Sequence, residues 1–441
     1  MNVKSFFKLQ EKGTTVKTEI LAGITTFMTM AYVLAVQPSA IVGFDGNTFV
    51  DINGVVISKE AISVTCALIS GLITLLMGFY ANVPFALSCG MGTNFMFGAL
   101  LQSNTLSFGA IMSITLISGV IFVILTIFGV RDLIVKAIPR NIKTAIGSAI
   151  GFYIAYLGFK NSGIGKFENG IELGSLRDPA VLLAIGGLFL IAILTAYRVN
   201  GAILIGIVVV TLVGIPLGVT TLPGNVVKAP NFSDMGNIMF AFDFKSLLTP
   251  ETIVYVFIAF CGDFFSTLGT VLGVGAKAGM LDKDGNMEDI QKPFLVDAIG
   301  TCVGAFTGNT TITTFVESSA GVEAGGKTGL TSVTTAVLFG IMMFFAPLFL
   351  AIPNAATGPA LIFVGYLMMS GIKDLDLSDF SDSFGSVIMI LFVVFSGSIA
   401  NGIAAGILAH IIIKVATRKY KDLHPVMYVL AIPLIFYFIF K

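Results

Sequence analysis

The stretch GNTTITTFVESSAGVEAGG, Gly308 to Gly326, differs from the long apolar runs on either side of it. It opens with a β-branched run, Thr310 to Thr314, which favours extended backbone over helix. The carboxylate of Glu317 follows, and small residues and glycines come next. Extended backbone and a carboxylate are both costly inside a bilayer, and both are tolerated where they line a cavity. We therefore predict that this stretch forms half of a substrate site.

The composition indicates a membrane protein. Hydrophobic residues make up 56% of the 441 residues and charged residues only 11%, against roughly a quarter charged in soluble proteins. Apolar stretches of about 18 to 25 residues recur, each long enough to cross about 30 Å of hydrocarbon. The four cysteines lack paired spacing and the chain has only two histidines, so we expect no disulfide, metal or cofactor. An all-α polytopic membrane protein is predicted, and nucleic acid is not an expected partner.

Fourteen apolar segments can be counted, and the tail 425–440 is left open between a further span and an interfacial helix. The division of the last two segments around Ser396 to Ser398 is also open. The segments are 18–43, 61–80, 84–103, 108–130, 138–160, 179–197, 200–221, 250–275, 293–306, 309–323, 328–351, 354–372, 383–397 and 398–416.

The basic residues predict an orientation. If the N-terminus is inside and the segments alternate, eighteen of the 25 Lys and Arg residues lie inside and six outside, with Lys441 unassigned. Cytoplasmic loops carry an excess of Lys and Arg. A multi-pass protein of the cell membrane with a cytoplasmic N-terminus is therefore expected.

The segments fall into two halves of seven, residues 1–221 and 250–416, joined by a polar extracytoplasmic junction (222–249) and followed by a tail (417–441). Because seven is odd, the second repeat must be inverted relative to the first. The third segment of each half is interrupted: VPFALSCGMGTNFMFGALL contains Pro84, Gly90 and Gly92, and its counterpart, the tenth segment, is the opening stretch. Interrupted segments at matching positions of inverted halves are typical of a transporter's binding site near the membrane midplane.

Three acids lie within spans: Asp263, Asp297 and Glu317. Each costs about 2.5–3.5 kcal/mol at a helix centre on insertion scales. No basic residue within a span is available to pair with Asp263 or Glu317, and such a carboxyl can hold a proton near neutral pH. These two acids suit proton coupling and can accept N–H groups from a heterocycle. A hydrogen bond between helices is the alternative for Asp263, and for Asp297 a structural role is at least as well supported.

The interrupted segments offer a complement to the acids. Free N–H groups are expected near Gly90 to Gly92 and near Glu317 to Ser319, where extended backbone turns into helix. Phe315 or Met91 could cover one face of a planar ring. The alternative is that these two side chains are ordinary core residues.

Four strings carry a family resemblance: TFVESSAGVEAGGKTGLTSV, GDFFSTLGTVLGVG, VPFALSCGMGTN and FMTMAYVLAVQPSAI. They resemble the purine permeases of the nucleobase–cation symporter family. The nearest branch is the hypoxanthine/guanine/adenine (azaguanine-transporting) permeases, which are related to the xanthine and uracil permeases. The resemblance implies a core domain (segments 1–4 and 8–11) that moves against a gate domain (segments 5–7 and 12–14). It also implies proton-coupled uptake of a purine base.

The resemblance assigns roles to individual residues. Glu317 matches the substrate-binding glutamate of the tenth segment, and Asp263 matches the acid of the eighth segment. Ser266 stands where the family usually has a second aspartate, which leaves the preferred purine open. The remaining candidates line the pocket in relatives or belong to the matched motifs: Ala31, Met91, Asn94, Phe315, Val316 and Ser318.

The predicted function is a secondary active transporter that imports guanine or hypoxanthine, with adenine as a further candidate, by proton symport. Asp263 and Glu317 would bind the base, and one of them or both would carry the proton; sodium is the alternative coupling ion. An anion transporter of the same inverted-repeat architecture is the first rival, and an intramembrane enzyme is the second. Besides the substrate and the lipid bilayer, a homodimer partner is left open.

Overall fold

The computed structural model describes residues 3–129, 139–167, 172–247, 249–281 and 287–440. The first residue of the predicted fifth segment lies outside this set. So do three of the basic residues used for the orientation, Arg131, Lys136 and Lys283, and the unassigned Lys441.

The first half of the described chain consists mainly of helices. They are α1 (Val3–Phe6), α2 (Val16–Met30), α3 (Val33–Val42), α4 (Lys59–Leu76), α5 (Met91–Gln102), α6 (Phe108–Ile127), α7 (Arg140–Asn161), α8 (Pro179–Ala196), α9 (Ala202–Gly214) and α10 (Phe232–Ile238). A short π-helical turn, Met77–Ala81, extends α4.

The second half continues in the same way. Its helices are α11 (Pro250–Lys277), α12 (Gln291–Phe306), α13 (Ser318–Glu323), α14 (Gly329–Met342), α15 (Ala346–Leu350), α16 (Asn354–Met369), α17 (Phe380–Ser396), α18 (Ile399–Ala416) and α19 (Pro425–Phe440).

Within the described residues, three two-stranded antiparallel ribbons accompany the helices. Their strands are β1 (Thr48–Val50) with β2 (Val56–Ser58), β3 (Leu87–Cys89) with β6 (Ile312–Thr314), and β4 (Gly165–Lys166) with β5 (Glu172–Leu173). Only the extended character of the segments containing β3 and β6 was anticipated from the sequence.

Nine helical stretches in the described part of the chain are long and apolar enough to cross a membrane. Three shorter apolar helices, α9, α17 and α19, accompany them. The protein is a multi-pass membrane protein. The tail forms α19, which packs against α11 and α18, and the Tyr437 hydroxyl donates a hydrogen bond of 2.8 Å to Asn401 Oδ1.

Local sequence explains where many of these helices begin. The side chains of Ser58, Ser107 and Thr249 accept hydrogen bonds from backbone N–H groups in the first turns of α4, α6 and α11. The first predicted segment breaks at Ala31 and Tyr32, between α2 and α3. The junction 222–249 was expected to be a polar connection, and it contains the short helix α10.

The helices form two packed sets. In one set, α4 and α2 pack on α14, α6 packs on α12, and α3 packs on α5. In the other, α7 packs on α16 and α17, and α17 packs on α18. Glycines allow close packing of α7 on α16, since a Cβ on Gly151 would lie 2.7 Å from the Gly365 carbonyl oxygen.

Candidate functional site

The centre of the site is the β3–β6 ribbon, defined here as Leu87–Cys89 paired with Ile312–Thr314. Leu87 lies opposite Thr314 and Cys89 lies opposite Ile312. The pairing continues at both ends, where Gly90 N donates to Thr311 O (2.8 Å) and Phe315 N donates to Ala86 O (3.0 Å). Each strand thus supplies hydrogen-bond partners for backbone N–H and C=O groups of the other, and extended backbone with such partners is tolerated within a membrane protein. Because the strands are antiparallel, α5 and α13 begin at opposite ends of the ribbon.

Asp297 holds the β6 strand in place. Its Oδ1 accepts hydrogen bonds from Thr314 N (2.7 Å) and from Thr314 Oγ1 (2.8 Å), and its Oδ2 accepts one from Thr267 Oγ1 (2.7 Å). The side chain is fully buried. These contacts join α11, α12 and β6, and they favour the structural interpretation of this acid.

A cavity of about 420 Å³ lies beside the ribbon, within the size range of small-molecule sites. Its walls come from both packed sets of helices: the ribbon, α5, α11 and the start of α13 on one side, and α7 and α16 on the other. The lining residues are Tyr32, Gly90, Met91, Gly92, Thr93, Gly147, Ile150, Gly262, Asp263, Phe265, Ser266, Gly269, Thr270, Thr311, Thr313, Thr314, Phe315, Val316, Glu317, Val364, Leu367, Met368, Gly371 and Asp374.

Glu317 is the last residue before α13, and its half-buried side chain lines the cavity. The Tyr32 hydroxyl donates a hydrogen bond of 2.9 Å to Glu317 Oε1. Tyr32 is available for this contact because it lies at the break between α2 and α3. Glu317 is therefore oriented by a residue about 285 positions earlier in the chain.

Asp263 lies near the middle of α11 and is 2% exposed. Its Oδ2 accepts a hydrogen bond of 2.6 Å from Thr301 Oγ1. Its Oδ1 is buried and has no hydrogen-bond partner among the described residues. A buried carboxylate oxygen without a donor is costly, and Asp263 lines the cavity. A ligand N–H, or a proton on the carboxyl itself, would satisfy this oxygen.

The two interrupted segments differ in whether the backbone N–H groups at the start of their helices have hydrogen-bond partners. Met91, Gly92 and Thr93 form the first turn of α5, and all three line the cavity. The first N–H groups of a helix have no partner within it, so this turn offers donors to a ligand. At α13, by contrast, Ser318 N donates to Phe315 O and Ser319 N donates to Val316 O. The expectation of free N–H groups near Glu317 to Ser319 is wrong for these two residues.

The structure brings most of the predicted site residues together. Glu317, Asp263, Phe315, Met91 and Val316 all line the cavity. The other three candidates are buried next to it, and two of them have hydrogen-bonding partners inside the protein. Ser318 Oγ accepts a hydrogen bond from Ala86 N (3.0 Å), Asn94 Nδ2 donates to Gln37 Oε1 (2.7 Å), and Ala31 ends α2.

Sequence reasoning missed Tyr32 and the threonines of the cavity wall, Thr93, Thr311 and Thr313. It also missed Glu19, an acid that is fully buried near the start of α2. Glu19 accepts hydrogen bonds from Lys327 N (2.9 Å) and from the hydroxyls of Thr328 (2.8 Å) and Thr331 (2.6 Å). The GGKTGLT motif therefore binds this carboxylate, at the start of α14. A glutamate at the second position of the first predicted apolar segment was the available signal.

Comparisons with known proteins agree on the kind of molecule. Residues 17–405 match the model of a family described as the Permease family. The adenine permease AdeQ of Escherichia coli (strain K12) is 35% identical over 96% of this chain and 93% of its own length. The guanine/hypoxanthine permease PbuO of Bacillus subtilis (strain 168) is 34% identical over 97% of this chain and 98% of its own. Among solved structures, the transmembrane domain of a cyanobacterium bicarbonate transporter, BicA, superposes with a TM-score of 0.62 at 13% identity, covering 88% of this chain and 97% of that one.

Proposed function

The chain belongs to the permease family, alongside adenine and guanine/hypoxanthine permeases, and on that basis we propose that it imports a purine nucleobase by proton symport. It is a transporter and not an enzyme. Guanine and hypoxanthine are the favoured substrates, with adenine as a further candidate. The plasma or inner membrane is the proposed location, with the N-terminus in the cytoplasm.

The unpartnered Oδ1 of Asp263 is the observation that carries the proposal. A purine presents N–H donors and ring-nitrogen acceptors along its edges. Asp263 and Glu317 supply acceptors, and the first turn of α5 supplies N–H donors. Phe315 and Met91 line the same cavity and provide apolar surface for a ring face.

Proton coupling is proposed for the same two acids. Neither Asp263 nor Glu317 has an ion pair with a basic residue in the described part of the chain. A carboxyl of this kind can exchange a proton as its surroundings change between conformations. Asp297 is assigned a structural role instead, because its oxygens already accept three hydrogen bonds.

The proposed architecture is fourteen segments in two inverted repeats, in which the set built on α4, α14 and the ribbon is the core domain. The set built on α7, α16, α17 and α18 is the gate domain. The position of the cavity between the two sets supports movement of one against the other.

The anion-transporter alternative draws only on the fold shared with BicA. An anion site uses a positive group and helix N-termini. The described residues that line the cavity include three acids, Asp263, Glu317 and Asp374, and no lysine, arginine or histidine. This charge pattern favours a neutral base over an anion.

The test is a binding panel on purified protein: guanine, hypoxanthine, adenine, xanthine, uracil and an inorganic anion, at two pH values, with and without sodium. We expect a purine to bind, with an affinity that depends on pH and not on sodium. Glu317→Gln should weaken binding, whereas the matched change Glu323→Gln should not, because Glu323 is exposed and pairs with Lys277 (2.7 Å) outside the cavity. Binding of the anion and of no purine would overturn the proposal.

A further inference from the structure

The cavity extends along α11 well past Asp263. Asp263, Ser266, Gly269 and Thr270 all line it, and they recur at the spacing of one helix face. At 1.5 Å per residue, Thr270 lies about 10 Å further along the axis than Asp263. Gly147 of α7 lines the same cavity. The cavity thus includes a passage that leads from the two acids toward the C-terminal end of α11.

Gly147 and Gly269 lack the usual reasons for a glycine in a helix. Neither has a positive φ, and a Cβ built on either would meet no atom within 4 Å. Other glycines of α7 and of the cavity wall are held by packing. A Cβ on Gly158 would lie 2.7 Å from the Gly358 carbonyl oxygen, and a Cβ on Gly92 would lie 2.7 Å from Ile150 Cγ2.

Glycine weakens a helix relative to alanine, so its presence at two unpacked positions that line one cavity from different helices calls for another reason. At both positions a Cβ would enter open space, and both residues line the cavity. The polar group at its inner end is Asp263, which is 2% exposed and has an unpartnered Oδ1.

We propose that Gly147 and Gly269 determine the width of the passage through which the substrate moves between the Asp263–Glu317 site and one face of the membrane. This inference rests on the proposed transport function and adds two specificity-determining residues to it. A side chain at either position narrows the passage without touching the two acids. It lowers the transport rate more than the equilibrium affinity, and it does so more for a bulkier substrate.

The experiment compares Gly147→Ala, Gly147→Val, Gly269→Ala and Gly269→Val with the wild type in proteoliposomes. The control is Gly186→Val on α8, where a Cβ also meets no atom within 4 Å but the position lies in a separate apolar groove. Uptake rates are measured for each purine that the wild type carries, and dissociation constants are measured on the purified proteins. The alanine variants favour helix, and the measured binding shows that each variant is folded.

The expected result is a graded loss of uptake, slight for alanine and at least tenfold for valine, with a dissociation constant within about threefold of the wild type. The Gly186→Val variant keeps wild-type uptake. Wild-type uptake in both valine variants would overturn the inference, and so would parallel loss of uptake and binding. If the wild type carries no purine, the proposed function fails, and the same variants are scored with the substrate that it does carry.

Discussion

Asp263 and Asp297 show how two acids in the same membrane region can differ in role. The carboxyl of Asp297 accepts three hydrogen bonds and lies outside the cavity wall. The carboxyl of Asp263 accepts one from Thr301 and lines the cavity, and its Oδ1 accepts none within 3.5 Å from the described residues. The number of donors around each carboxyl is therefore the basis for the proposed roles, anchoring for Asp297 and ligand binding for Asp263.

This difference predicts opposite phenotypes for matched substitutions. Asp263→Asn should abolish or strongly weaken purine binding with little change in the thermal midpoint of the purified protein, since Thr301 can still donate to the amide oxygen. Asp297→Asn should lower the midpoint, because an amide cannot accept from all three donors without reorientation, and unpaired buried groups cost about 1–3 kcal/mol each. Thermal unfolding and ligand titration of both variants would check this. A lower midpoint with unchanged binding in Asp263→Asn, together with weaker binding at an unchanged midpoint in Asp297→Asn, would contradict it.

Tyr32 gives a second prediction at the residue scale. Its hydroxyl is the donor to Glu317 Oε1, so Tyr32→Phe removes one hydrogen bond while keeping the ring. A hydrogen bond contributes about 0.5–1.5 kcal/mol net, and 1.4 kcal/mol is a factor of about ten in affinity. We expect purine binding to weaken by up to about tenfold. Tyr437→Phe, whose hydroxyl bonds to Asn401 away from the cavity, is the control, and equal affinities in both variants would argue against a role for Tyr32.

At the scale of the element, the β3–β6 ribbon was partly foreseeable. Four threonines around Ile312 indicated extended backbone, and Pro84 with Gly90 indicated a break at the matching position. Residues 87 and 314 are more than 200 positions apart, and no local sequence pattern predicts that they pair or fixes the register of the two strands. The contact of Tyr32 with Glu317 spans an even longer separation of 285 positions, which is why sequence reasoning named the glutamate and missed its donor.

Glu19 shows the same limit for a helix start. Propensity places Thr328 as the cap of α14, but the buried carboxylate that accepts from Thr328 and Thr331 comes from α2. Glu19→Ala would leave several buried donors unpaired, at about 1–3 kcal/mol each. We expect a clearly lower thermal midpoint and less folded protein in the membrane. Glu11→Ala, an exposed position near the same end of the chain, should keep the wild-type midpoint, and a similar midpoint for both variants would refute the interpretation.

At the scale of the whole molecule, composition was sufficient to predict a multi-pass membrane protein, and the motif around Glu317 was sufficient to recognise the family. Both predictions are confirmed. The walls of the cavity were harder to predict, because α7 and α16 contribute apolar residues and glycines such as Ile150, Val364 and Gly147. Nothing in the chemistry of these residues distinguishes them from the residues of any other membrane span.

The proposed proton coupling predicts how transport by the whole molecule depends on the proton gradient. If the acids bind both the base and the proton, uptake of labelled hypoxanthine or guanine into cells should collapse when an uncoupler dissipates the proton gradient. A sodium ionophore that leaves the proton gradient intact is the control. Uptake that survives the uncoupler and follows the sodium gradient would contradict proton coupling while leaving purine transport in place.

The most direct test of the account is uptake of labelled guanine and hypoxanthine by proteoliposomes with an imposed pH gradient, acidic outside, in wild type and Asp263→Asn. We predict that the wild type accumulates a purine against its concentration gradient, and that this accumulation is lost without the gradient and in Asp263→Asn. Undiminished accumulation by Asp263→Asn, or no purine uptake by the wild type, would contradict proton-coupled purine uptake through Asp263.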